Sequence, residues 1–150
     1  MALVGVVMGS QSDTPVMQAC LDALKELGID HEVVVMSAHR APERVREYGK
    51  TAGQRGVEVI IAGAGGAAHL PGVLASWTTI PVIGVPLATS DLKGVDALYS
   101  IVQMPAGVPV AAVGVQAARN AAYLAAAILS IKHEAIREAY RAFRERLGRS

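Results

Sequence analysis

Residues 3–15 read LVGVVMGSQSDTP, an apolar run that gives way to a polar, glycine-containing loop and then to a proline. A short continuous apolar run is typical of a strand that is covered on both faces of a parallel sheet. Pro15 suits the first turn of a helix, and Gly28 suits the position just after the helix ends. The stretch therefore predicts a strand over Leu3–Met8, a loop over Gly9–Asp13 and a helix from about Pro15 to Leu27.

The same order of strand, loop and helix recurs along the rest of the chain. Further strands are predicted at His31–Met36, Val57–Ala62, Pro81–Val85 and Val110–Val115. Further helices are predicted from Pro42 to about Gln54, from just after His69 to about Trp77, over Val95–Val102 and over Ala117–Ser130. Strands that alternate with helices indicate βαβ units and a mostly parallel sheet. We therefore expect one α/β domain over residues 1–150, a flavodoxin-like three-layer α/β/α sandwich with a five-stranded parallel sheet.

Residues 132–150 are left over after the five strands and their covering helices. They predict an amphipathic C-terminal helix whose apolar face consists of Ile136, Tyr140, Phe143 and Leu147. The opposite face is charged. We expect this extra helix to pack on a neighbouring subunit of a homo-oligomer, and the alternative is a surface helix that packs on its own domain.

The composition excludes several classes of protein. Hydrophobic residues make up 52% and charged residues 18%, which argues against disorder. The formal net charge is +1, so no global field favours nucleic acid or acidic membranes as partners. No apolar run reaches the roughly 18 residues of a membrane span, and no secretory signal is recognisable, so we expect a cytoplasmic protein. The only cysteine, Cys20, lies on an apolar helical stripe and is expected to be buried.

The loop after the first predicted strand is the first candidate for a ligand site. Its glycine lets backbone approach a ligand closely, and the hydroxyls of Ser10 and Ser12 lie where a helix begins and an anion can bind. Asp13 can accept hydrogen bonds from ribose hydroxyls. A simple N-cap role for Ser12 or Asp13 is the alternative. The loop lacks the Gly-Lys-Ser/Thr of a Walker loop and the glycine spacing of a dinucleotide fingerprint.

The second candidate segment is Ser37-Ala38-His39-Arg40, directly after the second predicted strand. Histidine is the side chain best suited to exchange protons near neutral pH, and arginine offers a fork of donors that fits phosphate oxygens. A strand-end cap at His39 with a solvated Arg40 is the alternative. We favour function because polar clusters on loops after buried strands often carry ligand contacts.

The third candidate segment is the Gly/Ala-rich loop predicted over Gly63–Gly72, in which His69 is the only polar side chain. Its small residues leave room for a flat ligand against the backbone, although tight packing of helix on sheet is the alternative. The remaining histidines, His31 and His133, are expected to be structural or solvated. No metal site is expected, because the chain has no Cys-x-x-Cys, no His-x-x-x-His and no cluster of carboxylates. No Gly-x-Ser-x-Gly nucleophile elbow is present either.

Four segments resemble the signature sequences of class I N5-carboxyaminoimidazole ribonucleotide mutases. These are MGSQSD at 8–13, SAHR at 37–40, AGAGGAAHLPG at 62–72 and SIVQMP at 100–105. The similarity extends over nearly the whole chain. Class II enzymes, the aminoimidazole ribonucleotide carboxylases, typically have lysine after the loop histidine and lack the long Gly/Ala run. Arg40 and His69 therefore favour class I.

The resemblance implies an isomerase of purine biosynthesis that needs no cofactor and works as a homo-octamer with active sites near subunit boundaries. It moves a carboxyl group from an exocyclic nitrogen to a ring carbon, by loss and recapture of carbon dioxide. We assign the acid and base steps to His39 and closure of the gas pocket to His69. The expected substrate contacts are Ser10, Ser37 and Arg40 for phosphate, Ser12 and Asp13 for ribose, and Ala38, Gly63, Ala64, Gly65, Gly66 and Leu70 along the rest of the pocket.

Two other functions remain open from the sequence. A carboxylase that takes free carbon dioxide would use the same fold, and an assay without bicarbonate separates it from a mutase. A non-catalytic module would bind a phosphorylated ribonucleotide and turn nothing over.

Overall fold

A computed structural model describes residues 1–150 and contains five strands and six α-helices. In chain order they are β1 (Val4–Met8), α1 (Thr14–Glu26), β2 (His31–Val35), α2 (Pro42–Thr51), β3 (Val59–Gly65), α3 (Leu70–Trp77), β4 (Val82–Leu87), α4 (Val95–Val102), β5 (Ala111–Ala112), α5 (Ala118–Leu129) and α6 (Glu134–Gly148). Short 3₁₀ turns occupy Gln11–Asp13 and Gly53–Arg55. No helix combines the length and the apolar character that crossing a membrane requires.

The strands form one parallel sheet in the order β2-β1-β3-β4-β5. This is the flavodoxin-like order, so the predicted α/β sandwich is confirmed. Because the chain first moves to β2 on one side of β1 and then crosses to β3 on the other, the direction of winding changes between β1 and β3. Ligands of such sheets bind at this switch point, beyond the carboxyl ends of the strands.

Helices cover both faces of the sheet and create two cores. One core of 21 buried residues joins the sheet to α1 and α5, and another of 15 joins it to α2, α3 and α4. Four alanines of α5 are fully buried, and their small side chains let α5 pack closely against α1. Cys20 is fully buried in the first core, as expected, and burial raises the pKa of its thiol to about 12.

The structure differs from the sequence prediction most clearly at two strands. β3 continues to Gly65, so that Gly63, Ala64 and Gly65 belong to the strand and pair with β4 instead of lying in the predicted loop. Small residues can extend a strand where neighbouring side chains fill the space above them. β5, predicted over six residues, is only Ala111–Ala112, because the chain turns after it, with the Gly114 carbonyl accepting from the amide of Ala117 at 3.0 Å.

The C-terminal helix α6 packs on α5 of its own chain. Ile136 is 5% exposed within the first core, and the ring of Phe143 stacks on Tyr123 with centroids 4.3 Å apart. Leu147, at the end of the same stripe, is 56% exposed. Part of the stripe is therefore covered within the chain, as the alternative interpretation expected, and packing on a neighbouring subunit stays a prediction for the remainder.

Candidate active site

The loops after β1, β2, β3 and β4 meet at the carboxyl edge of the sheet around a cleft of about 370 Å³. All three segments singled out in the sequence contribute to it. The cleft is lined by Gly9, Ser10, Asp13, Ser37, Ala38, His39, Arg40, Ala64, Gly65, Ala67, His69, Leu70 and Thr89. The structure therefore brings most of the predicted site residues into one cleft, although they are far apart along the chain.

Two histidines meet in this cleft. Nε2 of His39 lies 2.6 Å from Nδ1 of His69, although the residues are 30 positions apart. The rings meet edge to face, with centroids 4.8 Å apart and planes at 84°. A hydrogen bond between two ring nitrogens needs one donor and one acceptor, so at least one of the rings is neutral in this arrangement. Both side chains are exposed to the cleft, which makes the pair a unit that can give and take a proton.

Local structure fixes the position of each ring. The hydroxyl of Ser37 accepts a hydrogen bond from the amide of Arg40 at 3.2 Å, and the Ser37 carbonyl accepts one from Ala41 at 2.8 Å. These bonds close a tight turn with His39 at its tip, just before Pro42 starts α2. His69 occupies the N-cap position of α3, where its neighbours Ala68 and Leu70 are buried and anchor the backbone.

Arg40 joins the second loop to the first. Its Nη2 donates to the carbonyl of Gly9 at 3.0 Å, which holds the guanidinium beside Ser10. The side chain is exposed and forms no ion pair with a carboxylate, so most of its donors remain available. A planar cation with free donors, next to serine hydroxyls, suits a phosphate group.

The first loop is held by reciprocal capping. The amide of Ser10 donates to Oδ2 of Asp13 at 3.2 Å, and the Ser10 hydroxyl accepts from the amide of Ser12 at 3.3 Å. Burial raises the pKa of the Asp13 carboxyl, while the Ser10 amide and the nearby Arg40 guanidinium act to lower it. The capping alternative is thus partly correct, because Asp13 occupies the N-cap position of α1, although its side chain makes no cap bond there and Ser10 caps the 3₁₀ turn.

Three predicted contact residues do not line the cleft. The hydroxyl of Ser12 lies 2.9 Å from that of Ser10 and reaches the cleft only through it. Gly63 is buried, and a Cβ there would lie 2.6 Å from the sulfur of Met17, so its small size serves packing of α1 on the sheet. Gly66 has φ +57°, and its role is the left-handed turn that ends β3.

Three lining residues, Gly9, Ala67 and Thr89, are not among the named substrate contacts predicted from the sequence. Gly9 and Ala67 lie within segments that the sequence singles out, whereas Thr89 comes from a fourth loop, after β4. The signal was available, because Ala88-Thr89-Ser90 follows β4 in the same way as the other site segments follow their strands.

The other two histidines lie outside the cleft. Nδ1 of His31 bonds the carbonyl of Ile29 at 2.9 Å, and His133 lies 2.7 Å from the carboxylate of Glu58. Both have the structural role expected of them. No group of three or more histidine, cysteine or acidic side chains is arranged to hold a metal ion.

Comparison with known proteins gives close matches over the whole chain. A family model described as AIR carboxylase matches residues 3–150. The chain is 57% identical to the N5-carboxyaminoimidazole ribonucleotide mutase of Thermotoga maritima, over 99% of this chain and 87% of that protein. It is 58% identical to the protein of the same name from Pyrococcus abyssi, over 99% and 86%. Among solved structures, Treponema denticola PurE superposes with a TM-score of 0.90 at 29% identity, covering 99% of this chain and 93% of that one.

Proposed function

Because the chain belongs to the AIR carboxylase family, we propose that it is an N5-carboxyaminoimidazole ribonucleotide mutase of purine biosynthesis. The enzyme interconverts N5-carboxyaminoimidazole ribonucleotide and 4-carboxy-5-aminoimidazole ribonucleotide. The observation that carries this function beyond similarity is the contact between His39 and His69 inside the cleft.

The reaction adds one proton to the substrate and removes another. The carbamate N–C bond breaks to release carbon dioxide, and the exocyclic nitrogen takes up a proton. The ring carbon C4 then attacks the carbon dioxide to form the new C–C bond, and C4 loses its proton to restore the aromatic ring. The two proton transfers cancel, so a histidine that donates first and accepts later returns to its starting state. We assign this role to His39, with His69 as the partner that shares its proton.

The phosphate group is assigned to the side of the cleft formed by the β1 and β2 loops. Arg40 supplies positive charge there, and Ser10 and Ser37 supply hydroxyls and backbone amides. Asp13 lies deeper, and its carboxylate can accept from the ribose hydroxyls, with Ser12 supporting Ser10. Holding phosphate and ribose in this way would fix the imidazole ring against the histidines.

The released carbon dioxide must be recaptured before it escapes. The wall beside the histidines consists of Ala64, Gly65, Ala67 and Leu70, which offer a small apolar pocket and no competing nucleophile. Ala38 closes the neighbouring side. Substrate bound across this cleft would cover the pocket and keep the gas next to the ring carbon.

We also propose that the protein acts as a cytoplasmic homo-oligomer, an octamer by its resemblance to the family. Helix α4 presents an apolar face on the surface of the single chain, since Val95, Tyr99 and Val102 lie at helical spacing and are 48%, 63% and 39% exposed. Contiguous exposed apolar side chains favour association. Light scattering on the purified protein gives the mass directly, and a stable monomer would contradict the proposal.

The function is tested by turnover in buffer freed of bicarbonate. Purified protein is given N5-carboxyaminoimidazole ribonucleotide, and formation of the 4-carboxy isomer is followed over time. We expect multiple turnovers without added carbon dioxide. A reaction that needs bicarbonate would favour the carboxylase, and binding without turnover would favour the non-catalytic module.

A further inference from the structure

One hydroxyl in the cleft has no partner in the protein. Three hydroxyl side chains line the cleft, and those of Ser10 and Ser37 each accept a hydrogen bond from a backbone amide of their own loop. The hydroxyl of Thr89 makes none, while its side chain is exposed to the cleft. A polar group left free at the wall of a binding cleft is available to a ligand.

The strand order places Thr89 at the opposite end of the cleft from Arg40. Arg40 follows β2, the histidines follow β2 and β3, and Thr89 follows β4. From β2 to β4 the sheet spans three strand spacings, about 14 Å. If Arg40 holds the phosphate, the end of the ligand that reaches Thr89 is the imidazole ring with its carboxyl group.

The position of Thr89 is set by the absence of a side chain beneath it. A Cβ on Gly65 would lie 1.9 Å from the Thr89 hydroxyl oxygen and 2.8 Å from the Thr89 Cβ. The threonine therefore rests directly on the backbone of β3, on the same wall as Ala64 and His69. The proposed carbon dioxide pocket lies along this same wall of the cleft.

A strained residue holds the Thr89 loop in place. Gln116 has φ +64°, a left-handed conformation that glutamine rarely adopts. Its side-chain oxygen accepts from the amide of Ala88 at 2.9 Å, and its own amide donates to the carbonyl of Pro86 at 2.8 Å. The strain is thus coupled to two bonds that fix the residues immediately before Thr89. Local strain that persists at a site commonly supports function.

We propose that Thr89 contacts the substrate through its hydroxyl, donating a hydrogen bond to the migrating carboxylate, and that Gln116 is the positioning residue that holds it there. The inference rests on the proposed mutase function and extends it to a fourth loop. A neutral donor suits this task because it can bond the carboxylate on nitrogen and on carbon without trapping either as an ion pair.

The test compares Thr89→Val, which keeps the shape and removes the hydroxyl, with Thr89→Ser, which keeps the hydroxyl. Binding of 4-carboxy-5-aminoimidazole ribonucleotide and of 5-aminoimidazole ribonucleotide is measured by calorimetry, together with kcat and KM. Thr89→Val should weaken binding of the carboxylated ligand about tenfold or more, the range for a hydrogen bond to a charged group. Binding of the ligand without a carboxyl group should not change. Thr89→Ser should stay within about threefold of the unmodified protein for both ligands.

The proposal would be overturned if Thr89→Val weakened binding of both ligands equally, or if the valine and serine variants lost the same affinity for the carboxylated ligand. Either result would show that the shape of the Thr89 side chain matters and its hydroxyl does not. Unchanged binding in Thr89→Val would also overturn the proposal. If the unmodified protein binds the carboxylated ligand but does not turn it over, the mutase function fails while the binding comparison still decides the role of Thr89. If the unmodified protein binds neither ligand, both proposals fail.

Gln116 is tested by Gln116→Gly, since glycine accepts the positive φ and removes only the side-chain acceptor. We expect a severalfold loss of kcat/KM in this variant. When Gln116→Gly is added to Thr89→Val, kcat/KM should fall almost no further, because the hydroxyl that Gln116 positions is already absent. Additive losses would mean that Gln116 acts independently of Thr89.

Discussion

Two histidine contacts at opposite ends of the strands show how its surroundings decide what a histidine does. At the amino end of β3, Glu58 bonds His133 at 2.7 Å and Lys132 at 2.6 Å, which ties the turn before α6 to the sheet. The hydrogen bond from Lys132, together with His133, holds the pKa of the Glu58 carboxyl below its ordinary value. At the carboxyl edge, His39 faces another histidine and no carboxylate.

The difference separates a structural clamp from a reactive pair. His133 lies outside the cleft, where its contact with Glu58 fixes the turn before α6. His39 and His69 are exposed inside the cleft and contact each other, so their rings can reach a bound ligand and exchange protons with it. The same residue type thus serves stability at one end of the strands and chemistry at the other.

The largest effect is expected from His39→Asn. The variant keeps a polar side chain of similar reach but removes the titratable ring, so mutase activity should fall at least about a hundredfold. Ribonucleotide binding should survive. The matched control is His133→Asn, which should retain most of its activity at a temperature well below unfolding. Turnover of His39→Asn like that of the unmodified protein would end the proton-transfer assignment.

Removing the charge of Arg40 should have the next largest effect. Arg40→Ala should weaken ribonucleotide binding by about 1.5–3 kcal/mol, the range for hydrogen bonds between charged groups. Binding of the corresponding nucleoside, which has no phosphate, should not change. Arg44→Ala, an exposed arginine on the neighbouring helix α2, serves as the control. If binding of the nucleotide and binding of the nucleoside weaken equally, Arg40 positions the loop and does not hold phosphate.

Gly63→Ala separates packing from ligand contact within the Gly/Ala segment. The added methyl group would meet the buried sulfur of Met17 at 2.6 Å, and such overpacking costs roughly 1–3 kcal/mol of unfolding free energy. Chemical denaturation measures the loss. Gly9→Ala is the control, because nothing lies within 4 Å of its added Cβ. Equal stability of the two variants would contradict the packing role of Gly63.

The smallest effect is expected at the contact of Glu58 with Lys132 and His133. Glu58→Gln should lower the unfolding free energy near pH 7 by about 1 kcal/mol or less, as for partly exposed ion pairs. Because the folded pKa of Glu58 is depressed, its contribution is present above the unfolded pKa and is lost as pH falls through the folded pKa. The difference between the two proteins should therefore shrink below about pH 4.3, the ordinary pKa of a glutamate. A difference that grows on acidification would contradict this.

The sequence predicted the alternation of elements well because apolar runs, prolines and glycines act locally. It predicted the length of β3 and β5 poorly. Whether Gly63–Gly65 continue a strand depends on Met17 and Thr89 filling the space beside them. Pairing of the predicted strand Val110–Val115 ends early where the chain turns and Gln116 bonds Pro86 and Ala88. Both conditions are tertiary and leave no local signal.

The site was predictable in part for the same reason. His39 and Arg40 stand out because a polar cluster directly after a buried strand is hard to explain by packing. The 2.6 Å contact between His39 and His69 follows only from the order of the strands, and the capping bonds of Ser10 follow only from the turn geometry. Thr89 could have been predicted only from its position directly after a buried strand, because a lone threonine lacks the polar cluster that marks His39 and Arg40.

The most direct test of the account follows the fate of the carboxyl carbon. N5-carboxyaminoimidazole ribonucleotide labelled with ¹³C in its carboxyl group is incubated with the enzyme in buffer that contains unlabelled bicarbonate, and the product is examined by mass spectrometry during the first turnovers. A cleft that holds carbon dioxide beside His39 and His69 until C4 recaptures it predicts that the label is retained in the 4-carboxy product. Product that carries the isotopic composition of the buffer would show that the gas escapes, and would contradict the mutase mechanism.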